Sequence, residues 1–440
     1  MKRAALVALA VLAAGWALTL WVMPWSDERV NDLFVYRTFA EPMLSGALPY
    51  RDIAFEYPPL AAPVISLPGA VGAGEEAFRW AFAVWTLLAA AAMVLLCGAL
   101  ARAAAGGSGV DGTPAGLVAG AAPRAMLAAA LAPVLCGALL RTHFDLFPVV
   151  ILLAGLLLVA RDRPRAGLAV LGIGAVTKLF PLVAVPVALA WLLVRGRRRD
   201  AWQGALACAA VIAAVSGAAV ALSPDGAFDA VRYHVDRPVQ VESSPAMVLI
   251  GLDAIGAGEA KSVSSHRSDG LVHPADDAVT SLFLTALVAF VALLCALVAG
   301  ARSRAAAAGR AAGAGALGPR EFVIAALAAC TAFALFGKVL SPQFVIWVVP
   351  LGALAFAWRM HALAAAVALA AVLTQVEFPA HYFDVVAREP AAIALVAARN
   401  LALAAVLALS VRELVRRRGA SDAAGPEPAR PALSEQPVAS

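Results

Sequence analysis

Three stretches of the chain concentrate the residue types that do chemistry. The first, WSDERVNDLFVYRTFAEPMLSGALPYRDIAFEYPPLAAPVISLP, runs from Trp25 to Pro68. Within it Asp32, Tyr36 and Arg37 fall about one helical turn apart and can share a face. Asp27 and Glu28 read as solvated loop acids, whereas Asp32 has apolar and aromatic neighbours on both sides and is expected to face protein. Tyr57 precedes Pro58-Pro59, a pair that fixes two backbone angles and removes two donors. That segment suits an interfacial belt and a substrate contact equally. The second stretch is Arg141-Thr142-His143-Phe144-Asp145-Leu146-Phe147-Pro148, where Arg141 and Asp145 stand one turn apart and can pair with each other or meet a ligand. The third, Tyr233 to Ser244, gathers His234, Arg237, Gln240 and Glu242, with Arg232 just before it. Guanidinium groups grip phosphate oxygens while amides and carboxylates read hydroxyls, so this mixture suits a sugar phosphate; a wet surface loop has the same composition.

Two lysines add to the set: Lys178 in AVTKLFPLV and Lys338 in LFGKVLSPQF, each at the end of an apolar run. A lysine inside hydrocarbon costs on the order of 2.5–3.5 kcal/mol, and neither run has an acid nearby in sequence to offset it. Either the amine snorkels to the interface or it meets an anion such as a lipid phosphate. No zinc-ligand spacing and no Ser/His/Asp arrangement is present, so no metal or other cofactor is expected.

The elements that must position these residues are membrane helices. Of 440 residues 62% are hydrophobic and 14% charged, against about 25% charged in a soluble domain. Apolar runs long enough to cross about 30 Å of hydrocarbon recur along the chain, and in lipid such runs must be helical. We place about twelve spans, near 4–23, 79–101, 125–140, 145–160, 166–178, 181–194, 202–222, 278–300, 322–337, 343–358, 361–376 and 391–411, several of them short for a full crossing. With the N-terminus inside, 21 of the 34 basic residues but only 8 of the 29 acids fall on the inner side, in accord with the positive-inside rule. The basic residues sit in short clusters between apolar runs, which reads as topology and excludes nucleic acid as the partner. The three chemistry-bearing stretches then face outward, two of them in long loops, 24–78 and 223–277. Residues 1–418 form one multi-pass membrane domain, and the Pro/Ala/Ser-rich 419–440 is expected to be a disordered cytoplasmic tail. All five cysteines lie in apolar runs and read as small buried residues.

Taken in order, Asp32 with Tyr36, SGALPYRDIAFEYPPL, HFDLFP, TKLFPL, YHVDRPVQVESS, KVLSPQFVIWVVPL and QVEFPAHYFD resemble the polyprenyl-phosphate-sugar-dependent glycosyltransferases of the GT-C membrane fold, and in particular the bacterial glycosyltransferase family 87. The resemblance covers most of residues 1–411. It implies an all-α GT-C-type helical bundle with an extracytoplasmic active site in the cell membrane. It also implies a polyprenyl-phosphate-linked sugar donor, mannose being the sugar of the characterised members, and a glycolipid or polysaccharide acceptor. By the resemblance the catalytic base is an acid of the first outer loop; Asp32 fits, although Asp27-Glu28 is a competing acidic pair. A polyprenyl phosphate leaves as a stable anion, so one carboxylate base can suffice where a glycosidase needs two. Lys338, Arg237, His234 and Lys178 are candidates for stabilising that phosphate. Tyr36, Arg37, Tyr57, Arg141, Asp145, Tyr233, Gln240, Glu242 and Gln343 complete the candidate substrate contacts. The rival reading is a secondary transporter or lipid flippase. Carriers tend to show related halves and mid-membrane binding groups; no repeat is evident, and only Arg399 and Asn400 lie deep in an apolar run.

Overall fold

The structure is a computed structural model that describes residues 1–72, 74–106, 115–307 and 317–423. The chain opens with α1 (Lys2–Trp21), and the first loop folds into α2 (Leu33–Leu44) and α3 (Ala61–Ser66). There follow α4 (Glu75–Gly106), α5 (Ala115–Ala129), α6 (Ala132–Cys136), α7 (Leu139–Thr142), α8 (Leu146–Ala160), α9 (Pro164–Ala175), α10 (Ala184–Val194) and α11 (Arg198–Leu222). The second loop holds α12 (Pro224–Asp236), strand β1 (Val239–Gln240), α13 (Ser244–Ala254), β2 (Lys261–Ser265) and β3 (Ser268–Val272). The remainder is α14 (Asp276–Ala307), α15 (Pro319–Phe336), α16 (Val345–Ala357), α17 (His361–Glu377), α18 (Tyr382–Val386) and α19 (Pro390–Ala423).

Among the described residues six helices, α1, α4, α11, α14, α15 and α19, have spans long and apolar enough to cross a membrane. The others that coincide with expected spans are shorter. At 1.5 Å per residue the 15 residues of α8 cover only about 22 Å. Burial sorts the long helices. Only 11% of the apolar window of α11 and 17% of that of α14 is covered by protein, against 89% for α15. Thus α15 is the apolar-all-round centre, and α11 and α14 turn their side chains outward. Residues 125–140, expected as one span, are divided among α5, α6 and α7, with Pro133 opening the middle piece and a turn at Gly137 closing it. Residues 419–423 continue α19; the rest of the tail expected to be disordered lies outside the described residues.

Because the short helices follow one another as hairpins, the bundle has two distinct ends. Asp145 opens α8, Lys178 follows α9 and Lys338 follows α15, so these three meet at one end. Arg161 follows α8, Arg195 follows α10 and Arg359 follows α16, which makes the other end rich in arginine.

The chain is not helical throughout. Strands β1, β3 and β2 form, in that order, a small antiparallel sheet at the end that holds Asp145, the acidic end, where the Gln240 amide donates to the Lys338 carbonyl; Val239 lies opposite Leu271 and Ser265 opposite Ser268. The sheet was not expected because its strands are short and rich in serine, without the β-branched alternation that marks a strand. The helices around it start where serine caps them. Ser223 Oγ accepts from the Gly226 amide at 3.3 Å and Ser243 Oγ from the Ala246 amide at 3.2 Å, with proline at the first position of α12 and the second of α13, where a missing N–H costs nothing. Gly226 is also a contact point: a Cβ there would sit 1.9 Å from the Tyr50 carbonyl oxygen, so only glycine lets α12 seat on the first loop.

Candidate active site at the acidic end

Asp32 immediately precedes α2, and one turn later Tyr36 Oη donates to its Oδ2 at 3.0 Å. Tyr36 is held there by its apolar ring, stacked on Phe82 at 5.4 Å and edge-on to Phe144 and Tyr57 at 5.7 and 6.2 Å. His143 Nε2 lies 3.6 Å from the same Asp32 oxygen. The other ring nitrogen, Nδ1, faces the Leu139 carbonyl at 3.3 Å and Thr142 Oγ at 2.9 Å. That hydroxyl already donates to the Ala138 carbonyl. Both neighbours can therefore only accept, Nδ1 carries the hydrogen, and Nε2 turns its proton-exchanging side to the carboxylate. The sequence singled out the HFDLFP string without giving His143 a role; the only signal was its place between two candidates.

The turn from Arg141 to Asp145 sends its side chains to different neighbours. Asp145, fully buried, accepts from Lys178 Nζ at 2.7 Å and from Trp347 Nε1 at 2.6 Å through one oxygen. The acid that offsets Lys178 is thus 33 residues away in sequence. The ammonium also lies 4.6 Å from the centre of the Phe144 ring, a favourable place for a cation. Arg141 points away from Asp145. It pairs with Glu28 and donates to the Thr19 and Ser26 carbonyls at 2.6 and 3.2 Å.

The second loop reaches the first loop and the turn after α15. His234 Nε2 donates to the Glu56 carbonyl at 2.9 Å, and Lys338 Nζ donates to the Val235 carbonyl at 2.5 Å. Partial burial, reinforced by the positive charges of Arg237, Lys178 and Lys338, holds the His234 imidazole below its ordinary range. Burial and the Arg237 charge likewise lower Lys338. The other three residues considered for phosphate stabilisation thus lie within electrostatic reach of the His234 imidazole. Arg237 Nε donates to Ser268 Oγ at 3.1 Å, which ties it to the sheet. Tyr233 packs on the His266 ring at 4.8 Å. Tyr57 contacts Phe144 at 5.3 Å; burial first, then the Asp32 and Glu56 charges, raise its phenol well above the usual range.

Two further residues reach this region with no warning from the sequence. His266 and Arg267 make the two-residue turn between β2 and β3, both at φ of 52°. Neither is the glycine or asparagine that such a turn favours, so the strain marks the position as worth a function. Arg267 pairs with Glu56 at 3.2 Å and lies 4.6 Å from the centre of the Phe39 ring. Glu56 is itself pushed up by burial, against the pull of Arg267.

Other candidates are placed elsewhere. Arg37 is taken up by Glu41 at 3.2 Å and Glu75 at 3.4 Å. Gln343 sits half-buried in the 3-10 turn Pro342–Phe344. Gln240 and Glu242 turn inward: Gln240 Nε2 donates to Glu242 Oε2 at 2.9 Å, and Ser341 Oγ to Gln240 Oε1 at 3.2 Å. Glu242 then meets Arg399, whose guanidinium lies 3.5 Å from both Glu242 and Glu377 and donates to the Glu242 carbonyl at 2.6 Å. All three side chains are fully buried, and burial, then the neighbouring Glu377, raises Glu242 well above the carboxylate range. Arg399 therefore pins the second loop to α17 and α19. Among the described residues no group of three or more His, Cys, Asp and Glu side chains could hold a metal ion.

A search among curated proteins finds no match. The profile of glycosyltransferase family 87 matches residues 55–318, a span that starts next to Glu56, takes in His143, Lys178, the sheet and its turn, and leaves Asp32 and Lys338 on its flanks. As that match covers more than half of the chain, the protein belongs to glycosyltransferase family 87.

Proposed function

We propose that this membrane glycosyltransferase moves a sugar, mannose as the leading candidate, from a polyprenyl phosphate to a glycolipid or polysaccharide acceptor on the extracytoplasmic side, with inversion at the anomeric carbon. The supporting observation is the meeting at one end of the bundle of the Asp32–His143–Tyr36 cluster with Lys178, Arg237 and Lys338 around His234. In this reading Asp32 takes the proton of the acceptor hydroxyl as its oxygen attacks the anomeric carbon. The carbon–oxygen bond to the phosphate breaks at the same time. The bond pair leaves with the phosphate, whose charge Arg237 and Lys338 stabilise, while His234, neutral and donating to the Glu56 carbonyl, holds the second loop beside them. Lys178 already carries Asp145 as counter-ion, so its part is to set the local field and hold the Phe144 face. His143 can receive the proton from Asp32 once transfer is complete. The carrier alternative is not favoured by membership of a glycosyltransferase family.

The arginine distribution supports the orientation, with the acidic end away from the cytoplasm. Asp32→Asn is expected to lower transfer by roughly 10²–10⁴-fold in membranes supplied with lipid-linked sugar, with expression unchanged. Near-normal transfer by that variant rules out Asp32 as the base.

A further inference from the structure

A cavity at the opposite, arginine-rich end has no part in the proposed reaction. It measures about 620 Å³ and is bounded by the last turns of α4, the end of α8, the turn into α9 and the first residue of α15. Arg102, Arg161 and Arg163 line it, and its described lining contains no carboxylate. The remaining wall is apolar, with Leu158, Ala160 and Pro319.

What singles these arginines out is that three of them, all without a partner among the described residues, line one hollow, whereas Arg198, Arg199 and Arg359, also unpaired at this end, stand outside it. Close by, Arg197 is paired with Asp162 and Asp200, and Arg165 reaches Asp200 at 3.2 Å. The chain thus supplies acids to two arginines of this end. Among the described residues the guanidinium groups of Arg102, Arg161 and Arg163 have neither an ion pair nor a hydrogen bond. Three exposed forks around one hollow can close together on a single anion, and guanidinium matches phosphate oxygens two at a time.

We propose that this cavity binds the phosphate headgroup of an anionic glycerophospholipid. The apolar wall and the position, where spanning helices end and hydrocarbon gives way to water, favour a phosphate attached to acyl chains over a free ion. The lipid's glycerol and upper methylenes lie along Leu158 and Pro319 while the three arginines close on the phosphate. The site is independent of the sugar-transfer reading and of Asp32.

The test uses the full-length protein in phosphatidylcholine nanodiscs, with the thermal unfolding midpoint followed as phosphatidylglycerol replaces part of the lipid. The expected result is a rise in midpoint whose half-saturating phosphatidylglycerol fraction increases at least about tenfold in R102Q/R161Q/R163Q, the loss of several charge-assisted contacts. The control R198Q/R199Q, which removes two arginines of the same end outside the cavity, should shift it less than about twofold. The single variants R161Q and R163Q give the same direction should the triple variant fail to fold. Equal losses in cavity and control variants would show a diffuse surface charge effect and overturn the proposal. So would stabilisation by inorganic phosphate in plain phosphatidylcholine nanodiscs equal to that by the lipid, because the ligand would then be a free anion.

Discussion

The two ends of this bundle handle charge in opposite ways. At the acidic end charged groups are buried and find partners far along the chain, as Lys178 does in Asp145 and Arg399 in Glu242 and Glu377. At the arginine-rich end the pairs around α9 and α11 keep contact with water, as in Arg197 with Asp162, whose carboxylate is 82% exposed, although Glu321 beside Arg417 is buried. The first kind of pair is a commitment of the fold, since separating buried partners strands a charge away from water. The second is a surface arrangement that water and salt can replace.

This contrast can be broken most severely at Arg399. Arg399→Met leaves Glu242 and Glu377 together without a cation and should lower unfolding stability by about 3–5 kcal/mol, read by denaturant or thermal unfolding in detergent. Adding Glu242→Gln and Glu377→Gln to that variant should recover much of the loss; no recovery would mean that the guanidinium is needed for its shape. Lys178→Met should cost less, on the order of 2 kcal/mol, because Asp145 keeps the Trp347 indole as a donor.

A pH experiment separates the ends more finely. His234 is held neutral, below its ordinary 6.5, by partial burial and neighbouring cations. Its folded pKa is depressed, so its contribution to stability is complete above 6.5 and is lost as pH falls from there toward the folded value. Replacing His234 by Gln should flatten that part of the stability–pH curve; an unchanged curve would assign the acid loss to another group. At the arginine-rich end Asp200→Asn should shift the unfolding midpoint least of all, since the Arg165 side chain is 54% exposed and those of Arg197 and Asp200 keep 24% and 25% of their surface in water.

Much of this division can be read in the sequence, and its limits have a physical cause. Hydrophobic runs locate the helices because burial in lipid or protein leaves a long apolar record, and the arginine clusters between them mark one end. Asp32 and Tyr36 were legible as a pair because their contact is local, one helical turn apart. The match of Lys178 to Asp145, the place of Glu242 beside Arg399 and the arrival of Arg267 at Glu56 join segments whose separation nothing in a local pattern encodes. The β2–β3 hairpin was illegible for a related reason: its turn uses His266 and Arg267, residues that do not signal a tight turn. His143 lay in view within a noticed string, but only the fold aims its ring at Asp32.

One oxygen of Asp145 receives both the Lys178 ammonium and the Trp347 indole, joining the start of α8, the turn after α9 and the first turn of α16. Heredity should therefore treat these three positions as a single trait. In a saturation library scored for folded protein, tolerance at Lys178 or Trp347 would depend on what occupies position 145, and compensating changes would arise in pairs and triples.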